Sequence, residues 1–195
     1  MTHSLIIFAS GAGTNTQAII DYFKRNSIAK VALIVCNKPD AGVIDIAQNE
    51  EIPYLIIDKK TFHETLIIDQ METCKPSLIV LAGFLWKIPD TIIKAFPNKI
   101  INIHPALLPQ HGGKGMYGHH VHNAVLNAKQ NESGITIHYV NEVYDSGDII
   151  LQARCKVYEH DTTNSLAERI HHLEHFYFPR AIEFLLGNPA VSIDL

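Results

Sequence analysis

Short apolar runs alternate with amphipathic segments over the first two thirds of the chain. Five runs are almost wholly apolar, as in strands buried on both faces: residues 4–9, 30–36, 53–57, 77–82 and 99–103. Three intervening segments have the spacing of helices: residues 15–26, 42–51 and 62–74. Thr61, with Glu64 three residues later, is a candidate capping box for the third of these helices. The alternation predicts right-handed strand–helix–strand units and a mostly parallel, open sheet.

The pattern changes after Gly113. A glycine-rich loop, a helix, two strands around a polar turn and a long final helix follow, with the loop at 112–120, the strands at 135–140 and 149–158, and the last helix from Thr162 to Leu186. A bend is expected near Pro179. We therefore expect an α/β, doubly wound, mostly parallel sheet with an antiparallel pair and a long helix in the C-terminal part. Residues 1–195 would form a single domain, with a nucleotide-fold half at 1–100 and a smaller half at 101–195.

The composition is that of a globular protein with a sizeable core. Of the 195 residues, 47% are hydrophobic, which argues against an intrinsically disordered chain. The net charge is -4 and only 18% of the residues are charged, which argues against an electrostatic nucleic-acid binder with its basic patch. A small anionic substrate is compatible with these numbers.

Cysteine usage and the N-terminal segment favour a cytoplasmic protein. Cys36, Cys74 and Cys155 are odd in number, lie far apart and form no CxxC pair, as is typical of reduced thiols in the cytosol. No basic segment precedes the first apolar run, and no run reaches the ~18 apolar residues of a membrane span. We therefore expect a soluble protein without a membrane partner.

The first strand leads directly into a glycine-containing loop, Ser10 to Asn15. Glycines allow a sharp turn and the close approach of a ligand, and Thr14 or Asn15 could cap the following helix, whose free N–H groups attract anions. An ordinary capped turn would have a similar sequence. The dinucleotide fingerprint is incomplete, because Thr16 replaces its third glycine and no acidic residue ends the second strand. The loop therefore predicts phosphate binding rather than NAD binding.

Two polar side chains lie close together at the end of the fifth strand. In an extended strand residues i and i+2 face the same side, so Asn102 and His104 point together while Ile101 and Ile103 point away. Pro105 ends the ladder because it has no N–H to donate. An amide donor beside an imidazole suits stabilisation of the oxyanion that forms when a nucleophile attacks a carbonyl carbon.

The imidazole of His104 needs a carboxylate partner if its pKa is to be raised enough for protonation near neutral pH. Asp145, in the polar turn YDSGD, is the candidate, and Asp148 in the same turn is the rival. Any one of these residues, taken alone, is more simply a strand-end or turn residue. Their convergence with the glycine loop at the carboxyl edge of one sheet favours an active site.

The glycine-rich stretch is also rich in histidine. Four histidines crowd it: His111, His119, His120 and His122. Zinc needs three or four ligands in fixed geometry, and no cysteine or carboxylate lies nearby in sequence, so we expect no metal. His138, on an alternating strand, is either a site residue or a satisfied core histidine.

Five segments occur in the order found in the phosphoribosylglycinamide formyltransferases, which are folate-dependent enzymes of purine synthesis: SGAGTNTQAI, VLAGFLWKIP, NIHPALLP, YVNEVYDSGDIILQ and LEHFYFP. The resemblance covers nearly the whole chain. NIHP followed by D-x-G-x-I-x-x-Q resembles the folate formyltransferases in particular, and the first loop resembles this family among them. The resemblance implies the formyltransferase fold, 10-formyltetrahydrofolate as co-substrate, no metal, and a monomer or homodimer.

The resemblance also implies roles for individual residues. The catalytic set is expected to be Asn102, His104 and Asp145. The residues expected to contact the phosphate and glycinamide of the ribonucleotide are Gly13, Thr14, Asn15 and Glu174. The residues expected to contact folate are Leu85, Trp86, Lys87, Ile88, Asn102, Asn141, Glu142, Val143 and Tyr144. The half at 1–100 would be nucleotide-binding, and the half at 101–195 catalytic and folate-binding.

Three departures from the family pattern concern the folate side and the glycine-rich loop. Many relatives have Met-Arg-Ile-Leu where this chain has LWKI, and Trp86 is more simply a hydrophobic wall. An arginine that contacts folate in some relatives has no match after the third strand, although Lys59 or Lys60 could substitute for it. The stretch 111–122 is longer than in many relatives, which leaves the roles of its histidines open.

The mechanism that the resemblance implies is attack of the primary amine of glycinamide ribonucleotide on the formyl carbon of 10-formyltetrahydrofolate. Asn102 and protonated His104 would stabilise the tetrahedral oxyanion. Asp145 would hold His104 charged and help the proton to pass, through water, from the amine to the leaving folate nitrogen.

Three alternatives have to be weighed against this function. Formyltetrahydrofolate hydrolase and methionyl-tRNA formyltransferase share the Asn, His and Asp set, but each carries an additional domain that we do not expect here. A nucleotide-binding module without catalysis would keep the sheet but would not need Asn102, His104 and Asp145. We therefore expect small-molecule substrates and no nucleic-acid partner.

Overall fold

The computed structural model describes residues 2–187. Its seven strands are β1 His3–Ala9, β2 Ala29–Cys36, β3 Tyr54–Ile56, β4 Leu78–Leu81, β5 Ile100–His104, β6 Glu132–Tyr139 and β7 Ile149–Lys156. Its α-helices are α1 Thr14–Asn26, α2 Gly42–Asn49, α3 Thr65–Thr73, α4 Asp90–Ala95, α5 His119–Asn127 and α6 Thr163–Leu185. A short 3-10 helix at Thr61–His63 precedes α3.

The seven strands form one sheet in the order β3-β2-β1-β4-β5-β6-β7. Neighbours from β3 to β5 are parallel, whereas β6 is antiparallel both to β5 and to β7. The expected mostly parallel sheet with an antiparallel pair is therefore confirmed. The structure adds that β6 alone runs against the direction of all the other strands.

Apolar side chains cover both faces of the sheet, which is why the strands have no polar face in the sequence. In β1, Leu5 and Ile7 belong to one buried cluster, and Ile6 and Phe8 belong to the other. The first cluster is completed by residues of α1, α2, α5 and α6, and the second by residues of α3 and α4. Helices on both faces make this a doubly wound fold, as predicted.

The long helix α6 begins with a capping box that was not predicted from the sequence. The side chain of Thr162 accepts a hydrogen bond from the Ser165 N–H, and the Ser165 hydroxyl accepts one from the Thr162 N–H. The helix continues through Pro179 to Leu185. It therefore has nearly the predicted extent, and its buried apolar residues join the first cluster, on one face of the sheet.

The predicted capping box of Thr61 and Glu64 is wrong. Glu64 precedes α3, but its side chain makes no capping hydrogen bond. The Asp58 carboxylate instead accepts hydrogen bonds from the N–H groups of Lys60 and Thr61, each at 2.8 Å. Thr61 therefore belongs to the turn that the charged Asp58 carboxylate stabilises, ahead of α3, and does not cap that helix.

No helix between residues 2 and 187 has both the length and the apolar character needed to cross a membrane. The short helix α4 was not predicted, because its six residues are too few for a clear helical period.

Candidate active site

A cleft of about 620 Å³ opens where β1 and β4 end beside β5. Strand β4 ends at Leu81, which pairs with Asn102, whereas β5 continues to His104. The last side chains of β5 therefore lie beyond the end of their neighbour. The cleft volume falls in the range of about 300–1,000 Å³ that is usual for small-molecule sites.

The alternation of side chains along β5 is as predicted. Ile101 and Ile103 are buried in the cluster that α6 covers, whereas Ile100 belongs to the opposite cluster. Asn102 and His104 share the side of Ile100 and both line the cleft. The alternation in the sequence was therefore sufficient to predict that these two side chains lie together.

His104 is 3% exposed and has a neighbour at each ring nitrogen. Its Nε2 lies 2.8 Å from the carbonyl oxygen of His111, so Nε2 carries a proton and donates. Its Nδ1 lies 3.6 Å from Oδ2 of Asp145. The predicted spatial pairing of these two residues is present, at a distance longer than a direct hydrogen bond.

Asp145 is placed by its own backbone and by the glycine-rich loop. It adopts a left-handed conformation, with φ 51°, and its Oδ2 accepts a hydrogen bond of 2.8 Å from the Gly113 N–H. The rival Asp148 is exposed and meets the sheet through its backbone carbonyl, which accepts from the Tyr139 N–H. Asp145, rather than Asp148, is therefore the carboxylate beside His104.

The protonation states in the ligand-free cleft differ from the expectation. Burial lowers the pKa of His104 below its ordinary value, and the opposing effects of Asp145 and the His111 carbonyl do not outweigh burial. Burial by itself would raise the pKa of Asp145, but the adjacent rings of His138 and His104 and the Gly113 N–H outweigh it and lower that pKa. At rest the pair is therefore a neutral imidazole beside a carboxylate, because removal from water disfavours the histidinium.

His138 connects two of the three catalytic candidates, Asn102 and Asp145. Its Nδ1 donates to the carbonyl of Tyr139 at 2.7 Å, so in the neutral ring Nε2 is an acceptor. That Nε2 lies 3.2 Å from the Asn102 amide nitrogen and 3.7 Å from Oδ1 of Asp145. His138 is therefore a residue of the site, and it orients the amide of Asn102.

The loop after β1 brings the start of α1 to the same cleft. Gly13 is the residue before α1, with φ 78°, and a Cβ there would come within 2.9 Å of Val43 and 2.8 Å of Ile46 on α2. Only glycine fits both the conformation and the space. Neither Thr14 nor Asn15 caps the helix, contrary to expectation, because α1 already begins at Thr14.

Asn15 instead reaches across to α6. Its amide donates to the Glu174 carboxylate at 2.9 Å, and its Oδ1 is buried without a partner in residues 2–187. Burial raises the pKa of Glu174 to about 7, although the Asn15 amide lowers it. The predicted ribonucleotide residues therefore lie together in the structure, with a carboxyl group that is half protonated near neutral pH.

The other end of the cleft is apolar and aromatic. Trp86 packs against Phe62 and Phe84, with ring centroids 5.8 and 6.3 Å apart, which agrees with its interpretation as a hydrophobic wall. The Leu85 N–H donates to the buried hydroxyl of Ser10 at 2.9 Å, so this segment is fastened to the loop after β1. A flat, aromatic ligand fits such a surface.

The structure also shows which of the residues suggested for folate lie away from the cleft. Residues Leu85 to Ile88 line it, and so do Asn141, Val143 and Tyr144. Glu142 is exposed and does not line the cleft, whereas its neighbours in the turn do. Lys59 and Lys60 do not line it either and belong to the exposed turn organised by Asp58.

Several lining residues were not predicted. They are Gly83, Phe84, Val140, Met116, Tyr117 and His171. His171 lies one helical turn before Glu174 on α6, so the i, i+3 spacing would have indicated it. Residues 2–187 contain no group of three or more His, Cys, Asp or Glu side chains arranged to hold a metal ion.

Comparison with known proteins gives a consistent result. The formyl transferase family model matches residues 3–182. The chain is 41% identical over 187 residues to a phosphoribosylglycinamide formyltransferase of Bacillus subtilis, covering 93% of each chain. It is 34% identical over 186 residues to a protein of the same name from Haemophilus influenzae, covering 92% of this chain and 85% of the relative.

Solved structures agree with these relatives. A phosphoribosylglycinamide formyltransferase from Bacillus halodurans superimposes with a TM-score of 0.87 and 32% identity, covering 98% of this chain and 100% of its own. A glycinamide ribonucleotide transformylase from Geobacillus kaustophilus superimposes with a TM-score of 0.88 and 36% identity, covering 96% and 100%. The fold described above is therefore that of these transferases.

Proposed function

The chain belongs to the formyl transferase family, and we propose that it transfers the formyl group of 10-formyltetrahydrofolate to the primary amine of glycinamide ribonucleotide. The observation that carries this proposal is the meeting of Asn102, His104 and Asp145 in a cleft that also contains a helix N-terminus. The first three groups suit acyl transfer, and the helix N-terminus suits a phosphate.

The ribonucleotide is assigned to the end of the cleft formed by α1 and α6. Its phosphate would accept hydrogen bonds from the free N–H groups at Gly13, Thr14 and Asn15, which have no side-chain cap in the ligand-free protein. The glycinamide would lie beside Glu174, whose carboxyl group can lose its proton when an amine approaches.

Folate is assigned to the apolar end. The pterin would lie between the segment Leu85 to Ile88 and the turn that contains Asn141, Val143 and Tyr144. Val143 and Tyr144 are 63% and 40% exposed in the ligand-free protein, so a bound ring would bury apolar surface there. The formyl group at the other end of the ring system would then reach Asn102.

Transfer begins with attack of the amine on the formyl carbon. The new C–N bond leaves a positive nitrogen and a negative oxygen on one tetrahedral centre. The Asn102 amide, held by His138, donates one N–H to that oxygen. Removal of a single donor of this kind typically slows an enzyme about 10²- to 10³-fold.

His104 becomes charged as the oxyanion forms, rather than before. Burial lowers its pKa, so the neutral ring is the resting form. Because Nε2 donates to the His111 carbonyl and Nδ1 faces Asp145, the histidinium stabilises the oxyanion through its charge, and Asp145 stabilises the histidinium. The interaction is stronger in the transition state than in the ground state, as catalysis requires.

The proton of the attacking amine must reach the folate nitrogen before the C–N bond to folate breaks. Asp145 is the base closest to His104, and its lowered pKa keeps it ionised at neutral pH. We assign it the passage of this proton, through water, first to Nδ1 of His104, which becomes the histidinium, and then from the histidinium to the leaving nitrogen. The products are formylglycinamide ribonucleotide and tetrahydrofolate, and every proton is accounted for without a metal.

The organisation of the chain follows from these assignments. We propose that residues 1–195 act as one domain, with nucleotide-binding groups concentrated in 1–100 and catalytic groups in 101–195. The three cysteines of the chain are free thiols, which supports a cytoplasmic enzyme acting on small molecules. A monomer or a homodimer is compatible with a cleft built from one chain.

The direct test is a spectroscopic assay with purified protein, 10-formyltetrahydrofolate and glycinamide ribonucleotide. We expect tetrahydrofolate to appear only when both substrates are present, in an amount equal to the formylated ribonucleotide. Tetrahydrofolate and formate without the ribonucleotide would indicate a hydrolase, and formylation of methionyl-tRNA would indicate the tRNA enzyme. Binding of both ligands without any transfer would contradict an enzymatic function.

A further inference from the structure

The described part of the cleft holds few permanent charges for a substrate that carries a phosphate. Its lysines are Lys87 and Lys114, it has no arginine, and its carboxylates are Asp145 and Glu174. Lys87 lies 3.4 Å from the Asp90 carboxylate, in the segment assigned to folate. Lys114 has no carboxylate within 4.0 Å among residues 2–187. It is therefore the uncompensated lysine of the described cleft.

A phosphate bound at the N-terminus of α1 would require an additional positive charge nearby. A phosphate monoester carries about -1.5 to -2 at neutral pH, whereas a helix N-terminus supplies the equivalent of about +0.5. The loop from Ser10 to Asn15 contains no lysine or arginine. Binding of the phosphate by this helix alone would leave most of its charge unbalanced.

The path of the glycine-rich loop leads from the reaction centre to the ribonucleotide end. It begins at Gly113, whose N–H donates to Asp145. It ends in the first turn of α5, where burial and the imidazoles of His171, His119 and His104 lower the pKa of His122 to about 4. Because His171 lies one turn before Glu174, this part of α5 adjoins the ribonucleotide end. Lys114 lies between these two points in the chain and lines the same cleft as Gly13, Thr14 and Asn15.

Two glycines give the loop an unusual backbone conformation. Gly113 and Gly115, on either side of Lys114, have φ values of 98° and 88°, where other residues are strained. A Cβ at either glycine would meet nothing within 4 Å. The glycines are therefore needed for the conformation rather than for space, and they leave the surroundings of Lys114 open.

The start of α5 has no side-chain cap, although backbone carbonyls accept from two of its N–H groups: His120 donates to Tyr117 and Val121 donates to Gly118, each at 3.1 Å. Gly118 precedes the helix and provides no side-chain cap. His122, the fourth residue of the helix, lines the cleft and is 2% exposed, and its Nδ1 has no hydrogen-bond partner in residues 2–187. A buried polar nitrogen without a partner is costly unless a ligand or water satisfies it. This observation is independent of Lys114 and indicates a polar ligand beside α5.

We propose that the segment Gly112–Gly118 and the start of α5 are a second anion-binding element, in which Lys114 forms an ion pair with the 5′-phosphate of the ribonucleotide. The inference rests on the proposed function, because it takes glycinamide ribonucleotide as the ligand. The phosphate is then held at the N-terminus of α1, with the lysine compensating its charge. His122 provides a buried imidazole for the phosphate or the ribose beside it.

The test is calorimetric binding of glycinamide ribonucleotide and of the same compound without its phosphate. Lys114→Gln should weaken binding of the ribonucleotide about tenfold, because a charge-assisted contact at an exposed lysine is lost. The same variant should bind the dephosphorylated compound as the wild type does. Lys114→Arg should bind the ribonucleotide almost normally, and its affinity should fall with added salt as in the wild type.

Lys94→Gln is the matched control, since Lys94 is exposed on α4, outside the cleft, and the variant loses the same charge. An equal loss for both compounds, a loss in the folate affinity alone, or no loss in Lys114→Gln would overturn the inference. If the wild type binds the ribonucleotide but transfers no formyl group, the proposed function fails while the binding ratio still decides the role of Lys114. No binding of the ribonucleotide to the wild type overturns both.

Discussion

Replacing Asp145 by asparagine tests the role of the carboxylate most sharply. Asparagine has the same shape, and its side-chain oxygen can still accept the hydrogen bond from the Gly113 N–H. The variant therefore loses a charge while the turn keeps its anchor. We assign Asp145 the stabilisation of charged His104 in the transition state. We therefore expect kcat to fall while the affinity for both substrates is almost unchanged.

The magnitude follows from the distance to His104. A full negative charge 3.6 Å from Nδ1 is worth about 4 to 5 kcal/mol at an effective dielectric constant of about 20. That stabilisation is lost from the histidinium that forms with the oxyanion. Since about 1.4 kcal/mol corresponds to a factor of ten, kcat should fall about 10³-fold.

The assay is steady-state formyl transfer with each substrate varied in turn, so that kcat and the two KM values are obtained separately. Asp148→Asn is the matched control, because it removes the same charge from the same turn at an exposed position. We expect the control to keep the wild-type kcat. A kcat for Asp145→Asn within about threefold of the wild type, or an equal loss in both variants, would refute the role assigned to Asp145.

Three further variants test the ends of the cleft. Glu174→Gln should stabilise the ligand-free protein by about 3 kcal/mol at pH 8 in urea unfolding and hardly at all near pH 4, because the pKa of this buried carboxyl is raised to about 7 and folding therefore favours its protonated form. Gly13→Ala should destabilise the protein by about 2 to 4 kcal/mol and raise KM for the ribonucleotide, because φ is 78° and α2 leaves no room for a Cβ. Ser10→Ala should raise KM for folate severalfold and leave KM for the ribonucleotide unchanged, because the Leu85 N–H loses its acceptor.

Each of these results has a clear opposite. The Glu174 prediction fails if the variant has the same stability relative to the wild type at both pH values, since stability due to the raised pKa is present at low pH and lost as the pH rises through about 7. The Gly13 prediction fails if the alanine variant has the same free energy of unfolding and the same KM for the ribonucleotide as the wild type. The Ser10 prediction fails if both KM values rise together.

Much of the fold and the geometry of β5 could be predicted from the sequence, because both depend on local periodicity. Strands buried on both faces leave continuous apolar runs, and the alternation in β5 placed Asn102 beside His104. The identity of the partner carboxylate also held, since Asp145 rather than Asp148 faces the imidazole. The start of α1 was predicted less well, because the residue before the helix is Gly13, which has no side chain to cap it.

Properties that depend on three-dimensional surroundings were predicted wrongly or left open. A carboxylate neighbour raises the pKa of His104, but the sequence gives no measure of burial, which proved to be the larger effect. The link between Asn15 and Glu174 joins residues 159 positions apart, which no spacing rule reveals. The same holds for His138, whose part in orienting Asn102 depends on the register between β5 and β6.

The most direct test of the catalytic assignment is the rate of formyl transfer in a single turnover, with both substrates bound at saturation, for the wild type and for His104→Ala. Calorimetry on the same samples gives the two dissociation constants. We expect the transfer rate to fall at least about 100-fold while both constants stay within about threefold of the wild type. An unchanged transfer rate would contradict the central claim that His104 stabilises the transition state in this cleft.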